Sequence, residues 1–332
     1  MKVVKVGLVA DPASPTEIAR RMSDLDSPGG EDRDTWDIEV VSEPFTMGSE
    51  DLDTAVARLQ DQARRYAWDL VVGLTELPLR DDDGRYLLVA TDPQRRTAVL
   101  SLPALGGLSM QARTRHAVRA LVSGMADASS GDGHRVPLPR RRGRWKLLTG
   151  MVLANRPWLL VPGLKSALVA ALATGAIATV DPTIWQLAHS LSWWHLTVAT
   201  ISSVALVVGW LVIDGELWDR PNDNSAEAKE RSRLYNTSTL VTLTTGVLIC
   251  YLALYIVNLL WALFVIDLAV MGSSVNASLG YRDLFLLAWF VASAATVGGA
   301  LGSGLESDEA IRAAAYSKRE EQRRDRLARE RS

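Results

Sequence analysis

Few residues in this chain of 332 have the types and spacings that chemistry needs. Four histidines, His116, His134, His189 and His195, are scattered without metal-ligand spacing. No G-x-S-x-G elbow accompanies them to suggest a Ser-His-Asp hydrolase. The single cysteine, Cys250, lies in an apolar run, so neither a disulfide framework nor a cysteine zinc site can form within one chain. The segment 11–17, DPASPTE, offers a helix N-terminus to an anion but carries no glycine fingerprint. Asp81, Asp82 and Asp83 stand before Gly84, where three acids read most simply as a solvated turn rather than a divalent-cation site. These types suggest no catalytic residue, no bound metal and no cofactor.

The more informative polar residues lie inside apolar stretches, where they are costly. Lys165 sits about two turns into one such stretch, placed to reach inner headgroups, and Asn258 is the most central strong polar group in another. Asn258 suits a hydrogen-bonding role between helices, with a conduction or substrate site as the sharper alternative. Small residues recur at a spacing of four: Gly163, Ala167, Ala171 and Gly175 in one stretch, and Ala294, Gly298 and Gly302 in another. Such stripes let two backbones approach within van der Waals contact, which lipid itself does not drive. A basic cluster, Arg140, Arg141, Arg142, Arg144 and Lys146, stands before the first apolar stretch. It reads as a topological anchor or as a site for anionic lipid.

Four stretches must position these residues: 158–180, 196–213, 239–270 and 284–304. Each is long enough to cross a hydrocarbon core, which takes about 20 apolar residues. The third exceeds one crossing but lacks turn residues, so it is expected to be one long tilted helix with Asp267 near the surface. No span shows an acid relay, an arginine ladder or a Gly-Pro break of the transporter kind. Positive residues alternate between the loops. They cluster before span one, in the loop 215–236 and in the tail from Glu306, and are nearly absent from 181–194 and 272–283. This places both termini in the cytoplasm and the protein in the plasma membrane.

The first 139 residues carry 16 Lys and Arg against 22 Asp and Glu, so this half is acidic. Its opening run, MKVVKVGLVADP, is too short and interrupted for a signal peptide, so the half is expected to stay where it is made. The β-branched run at 3–10 predicts a strand, followed by a helix with Ser14 as N-cap and Glu17 completing a capping box. Strands at 36–41, 69–74, 86–91 and 97–102 alternate with a helix opened by Ser49, with Leu52, Val56, Leu59, Ala63 and Tyr66 on one face. A last helix runs from 108 to about 128. The fold class expected is therefore an α/β soluble domain (1–130), a basic linker (131–157), an all-α transmembrane bundle of four helices (158–305) and a cytoplasmic basic helix (306–332).

Residues 3–127 also resemble archaemetzincin-type zincin domains. The likeness rests on the opening strand, a helix at 51–68, DLVVGLTELPL, YLLVA and TAVLSLPALG before a final helix. That family places a zinc-binding H-E-x-x-H on its last helix. Here RHAVRALVSGM stands there, with Arg119, Ala120 and Ser123 at the ligand and base positions. The resemblance implies a domain without metal or peptidase activity and lends no site. The function expected is a non-enzymatic multi-pass membrane protein whose cytoplasmic domain binds a protein partner or small ligand. A transporter or channel component gated by that domain is the second reading, and the degenerate zincin the third. The partners expected are the bilayer and a protein or second copy of the chain, with no nucleic acid.

Overall fold

The computed structural model describes residues 3–23, 25, 35–46, 52–81, 85–92, 94–107, 109–127, 135–221 and 225–302. The tail expected at 306–332, Ser49 with its helix start, His134, Asp82 and Asp83 lie outside them. Contacts divide the described residues into two units, one within 3–154 and 225–234, the other within 155–221 and 235–302.

The first unit is built on a mixed sheet. In chain order its elements are β1 (Val3–Ala10), α1 (Ser14–Arg20), β2 (Thr35–Ser42), α2 (Leu52–Tyr66), β3 (Leu70–Thr75), β4 (Leu79–Arg80), β5 (Tyr86–Asp92), β6 (Thr97–Ser101), α3 (Met110–Asp127), β7 (Arg135–Pro137) and α4 (Arg140–Ala154). The sheet order is β2-β1-β3-β6-β5-β4, with β7 also pairing β5. The first four strands are parallel and β4, β5 and β7 antiparallel. Every residue of β3 is buried, because a parallel strand covered on both faces reads as a continuous apolar run. Val4, Val6, Leu8 and Ala10 of β1 pack with Ala19 of α1 and Val118 and Val122 of α3. Val9 points the other way, toward Phe45 and Ala55 and Leu59 of α2. Helices thus lie on both faces, and the chain leaves β1 for β2 on one side and returns to β3 on the other.

Several local expectations change here. Ser14 is the first residue of α1 rather than its cap. Ala13 occupies the cap with φ 76° and no side-chain bond, so the Ser14–Glu17 box does not form. On α2 the buried face is Leu52, Ala55, Leu59 and Gln62, while Tyr66 is exposed and stacks on Trp68. The stretch expected as a linker is structured. β7 adds to the sheet, and α4 buries Leu147 and Met151 while packing on the turn Pro103–Leu105. The basic cluster therefore opens a helix of the α/β unit, whose buried Leu147 and Met151 further along supply the docking surface.

The second unit is helical: α5 (Leu160–Gly163), α6 (Lys165–Thr179), α7 (Pro182–Ser190), α8 (Trp193–Asp214), α9 (Ala226–Val265), α10 (Leu268–Val275) and α11 (Tyr281–Gly302). The first turns of α9, through Leu234, belong to the α/β unit. Three helices, α8, α9 and α11, are each long and apolar enough to cross a membrane. α6 has only 15 residues, and it qualifies only when joined to the helical residues before it across a bend. The break falls just after Pro162–Gly163, where Leu164 leaves helical geometry at φ −109°, ψ 23° before α6 begins. A broken first span was not expected from the sequence.

The long third stretch is one helix without a hairpin, but it stops at Val265. Asp267 then caps α10 by accepting from the Ala269 amide at 2.8 Å. Asp181 caps α7 in the same way, and the Thr183 amide holds its carboxyl below the usual carboxylate value. The segments 181–194 and 272–283, expected as loops, thus carry two short helices. They pack against each other and around Trp185, Met271, Leu284 and Leu287.

Candidate functional site

The carboxyl ends of β1 and β3 meet where the chain reverses its direction of winding, the place where doubly wound sheets open a crevice for ligands. Asp11, the residue after β1, is wholly buried there. Its Oδ2 accepts from Thr75 Oγ1 at 2.6 Å and from Thr46 Oγ1 at 3.3 Å, and its Oδ1 from the Phe45 amide at 3.4 Å. Thr75 Oγ1 also accepts from the Leu77 amide at 3.0 Å. Beside them Thr16 donates to the Asp11 carbonyl at 2.9 Å and meets Ser42 Oγ at 2.8 Å. The Asp11 carboxylate therefore ties together the ends of three strands, and its backbone carbonyl holds the first turn of α1 through Thr16. Ala13, next to it, holds a left-handed φ that an L residue rarely adopts, at a cost of about 1–3 kcal/mol. In the sequence this segment stands out for its helix N-terminus and not for Asp11 itself. The signal was present, an acid directly after a buried strand.

A second polar group lies among the helices. Trp289 Nε1 donates to Thr200 Oγ1 at 2.7 Å, and Thr200 Oγ1 lies 3.0 Å from Tyr251 Oη. Tyr251 Oη is 2.9 Å from Ser293 Oγ, which donates to the Trp289 carbonyl at 3.0 Å. The network ties α8, α9 and α11 together, and none of its members stood out in the sequence. Tyr251 also lines a cavity of about 30 Å³ with Ala167, Ala171, Val207, Cys250 and Thr296. That space is small and lined mostly by apolar side chains.

The residues expected to act in the membrane fall as follows. Asn258 is buried, its Nδ2 donating to the Leu254 carbonyl at 2.9 Å, with its amide laid against Gly175 of α6. Lys165 is the exposed first residue of α6. Ala167 and Ala171 press on α11, but at Gly299 rather than along the expected stripe. A Cβ built on Gly299 would stand 2.5 Å from the Ala167 carbonyl oxygen and 2.6 Å from Ala171 Cβ. Ala294 and Gly298 are exposed, and the nearest neighbour of a Cβ on Gly298 is Thr174 Cγ2 at 3.7 Å. The stripe is rotated by one residue, about 100° of helix, with Ala292, Ala295 and Gly299 turned inward. Gly163 is buried in α5, and Gly302 ends α11.

In the basic cluster Arg144 pairs with Glu230, which also lies 3.8 Å from Arg80, a buried residue set over the Tyr86 ring. Lys146 is exposed, and Arg140, Arg141 and Arg142 lie on the first turn of α4.

Fold and sites together define a protein with an N-terminal α/β sheet unit and a helical region bearing three helices long and apolar enough to cross a membrane. No family model, no curated protein and no solved structure matches the chain.

Proposed function

We propose that this chain is a multi-pass plasma-membrane protein whose cytoplasmic α/β unit binds a small ligand or protein partner while its helices anchor and assemble it. Four crossings follow if the bent segment through α5 and α6 makes one span. The observation that carries the binding role is the crevice position of Asp11, Thr46 and Thr75 at the winding reversal. No nucleophile–base pair adjoins them among the described residues, which favours binding over catalysis. Small ligands seated there would touch the rim formed by Ser42, Glu43 and the strained Ala13 turn.

Two measurements test this reading. Single cysteines at Ser225 and Ser278, probed from outside intact cells, should label only at Ser278; the opposite pattern reverses the topology. The purified full-length protein, melted with a panel of mononucleotides and dinucleotides, should unfold later with at least one of them. A flat response across the panel removes the nucleotide class from the crevice.

One observation favours a second reading, a transporter component gated by the α/β unit. The discontinuous helix at Pro162–Leu164 is the device by which membrane carriers free backbone groups near the bilayer interior. The cavity beside it is small and mostly apolar, and so the binding and anchoring role is preferred.

A further inference from the structure

From 135 to 165 the chain holds eight Lys and Arg and no Asp or Glu, although the first 139 residues as a whole are acidic. Most of that charge falls at the start of α4. Arg140, Arg141 and Arg142 occupy its first turn, where the positive end of the helix dipole disfavours cations. Other helices of this chain follow the dipole: Glu17 stands in the first turn of α1, Asp53 in that of α2 and Asp283 in that of α11. The basic run is therefore not explained by the stability of α4. Arg144 is held by Glu230, while Lys146 is exposed. Between them Trp145 is 70% exposed, so its ring finds little cover within the protein. Thr149, one turn on and on the same side of the helix, is exposed as well. α4 ends at Ala154, and the apolar stretch expected to enter a membrane begins soon after, at 158.

We propose that the basic and aromatic start of α4 docks on anionic lipid headgroups, in the leaflet on the side of the α/β unit. The proposal rests on the reading of the helical unit as membrane-spanning. Charge complementarity names the occupant, because a cluster of about four to eight Lys and Arg beside a span attracts anionic lipid. Tryptophan, with an apolar ring and one N–H donor, settles at headgroup depth. A neutral bilayer offers the ring the same seat but gives the arginines no counter-charge. An anionic leaflet also repels the acidic remainder of the first 139 residues, so the basic run selects which end turns toward it.

The test is a depth measurement in two lipid compositions. The full-length protein with Cys250→Ala and Thr149→Cys carries a nitrobenzoxadiazole fluorophore at position 149, which leaves Trp145 and every basic residue in place. It enters nanodiscs of phosphatidylcholine alone or with about one third phosphatidylglycerol, each doped with a lipid bearing a headgroup nitroxide. Quenching should be stronger by about twofold or more in the anionic discs. It should return to the neutral-disc value in about 1 M salt, where the screening length is about 3 Å. The triple variant R140E/R141E/R142E should lose the difference between the discs without a lower unfolding midpoint, because acids in a first turn suit the dipole. A lowered midpoint would assign the arginines to the fold and overturn the proposal. Equal quenching in the two discs overturns it too, as does a triple variant that keeps the lipid response. A protein that does not enter nanodiscs overturns the membrane reading itself, whereas one that enters with its label unquenched overturns this proposal alone.

Discussion

Replacing Asp11 by alanine should destabilise the α/β unit by about 3 kcal/mol or more, since each buried donor left unsatisfied costs about 1–3 kcal/mol. The carboxylate receives the Thr75 and Thr46 hydroxyls and the Phe45 amide, and it lies where no water competes. Thr46 and Thr75 stand 3.3 Å apart and can recover one bond between themselves, so the loss is less than three full penalties. Asp11→Asn keeps the shape and one acceptor oxygen but turns an amide N–H₂ toward other donors, and should fall between parent and alanine. Thermal unfolding of the full-length protein, followed by circular dichroism, reads the order parent, Asn, Ala. An unchanged midpoint in Asp11→Ala would mean that the carboxylate does not hold the strand ends together. The crevice role would then rest on Thr46 and Thr75 alone.

The sheet was legible because burial on both faces leaves a plain trace. Val-rich runs at 3–10 and 70–75 can only be covered strands, and the helices between them alternate in the order a parallel sheet requires. The short pieces were not legible. Two residues of β4 and three of β7 carry no periodicity, and the Gly- and Pro-bearing stretch from 131 reads as a linker until β5 offers it an edge. The Ser14 cap failed because the tight turn at Ala13, a tertiary demand, moved the helix start back by one residue.

In the helical region the apolar stretches mark the helices long enough to cross a membrane but not the faces they turn to one another. A stripe of small residues marks a candidate contact, while its exact rotation depends on which neighbour arrives. The Thr200, Tyr251, Ser293 and Trp289 network needs three helices in register, which no single stretch encodes. The break at Pro162 was in plain view and was read as continuous because the flanking residues are apolar enough to span without it.

Gly299→Leu should be the most damaging substitution among the helices, and Gly298→Leu, one residue earlier, nearly silent. The seat opposite Gly299 is made of the Ala167 carbonyl, the Ala171 amide nitrogen and the Ala171 methyl, at 2.5, 2.9 and 2.6 Å from a Cβ placed there. Two of these are backbone atoms and cannot rotate aside, so α6 and α11 must separate. An overpacked contact of this kind costs about 1–3 kcal/mol, and rigid backbone puts this one at the upper end. Gly298 has only Thr174 Cγ2 nearby, at an ordinary 3.7 Å, and its change should stay within about 0.5 kcal/mol. Unfolding of the two variants in mixed micelles compares them directly, and equal losses would show that α6 does not rest on Gly299. A crosslink then asks whether the contact is internal. Cysteines at Thr174 and Gly298 should form a disulfide within one chain; a covalent dimer on a gel would place the α6 and α11 stripes between chains instead.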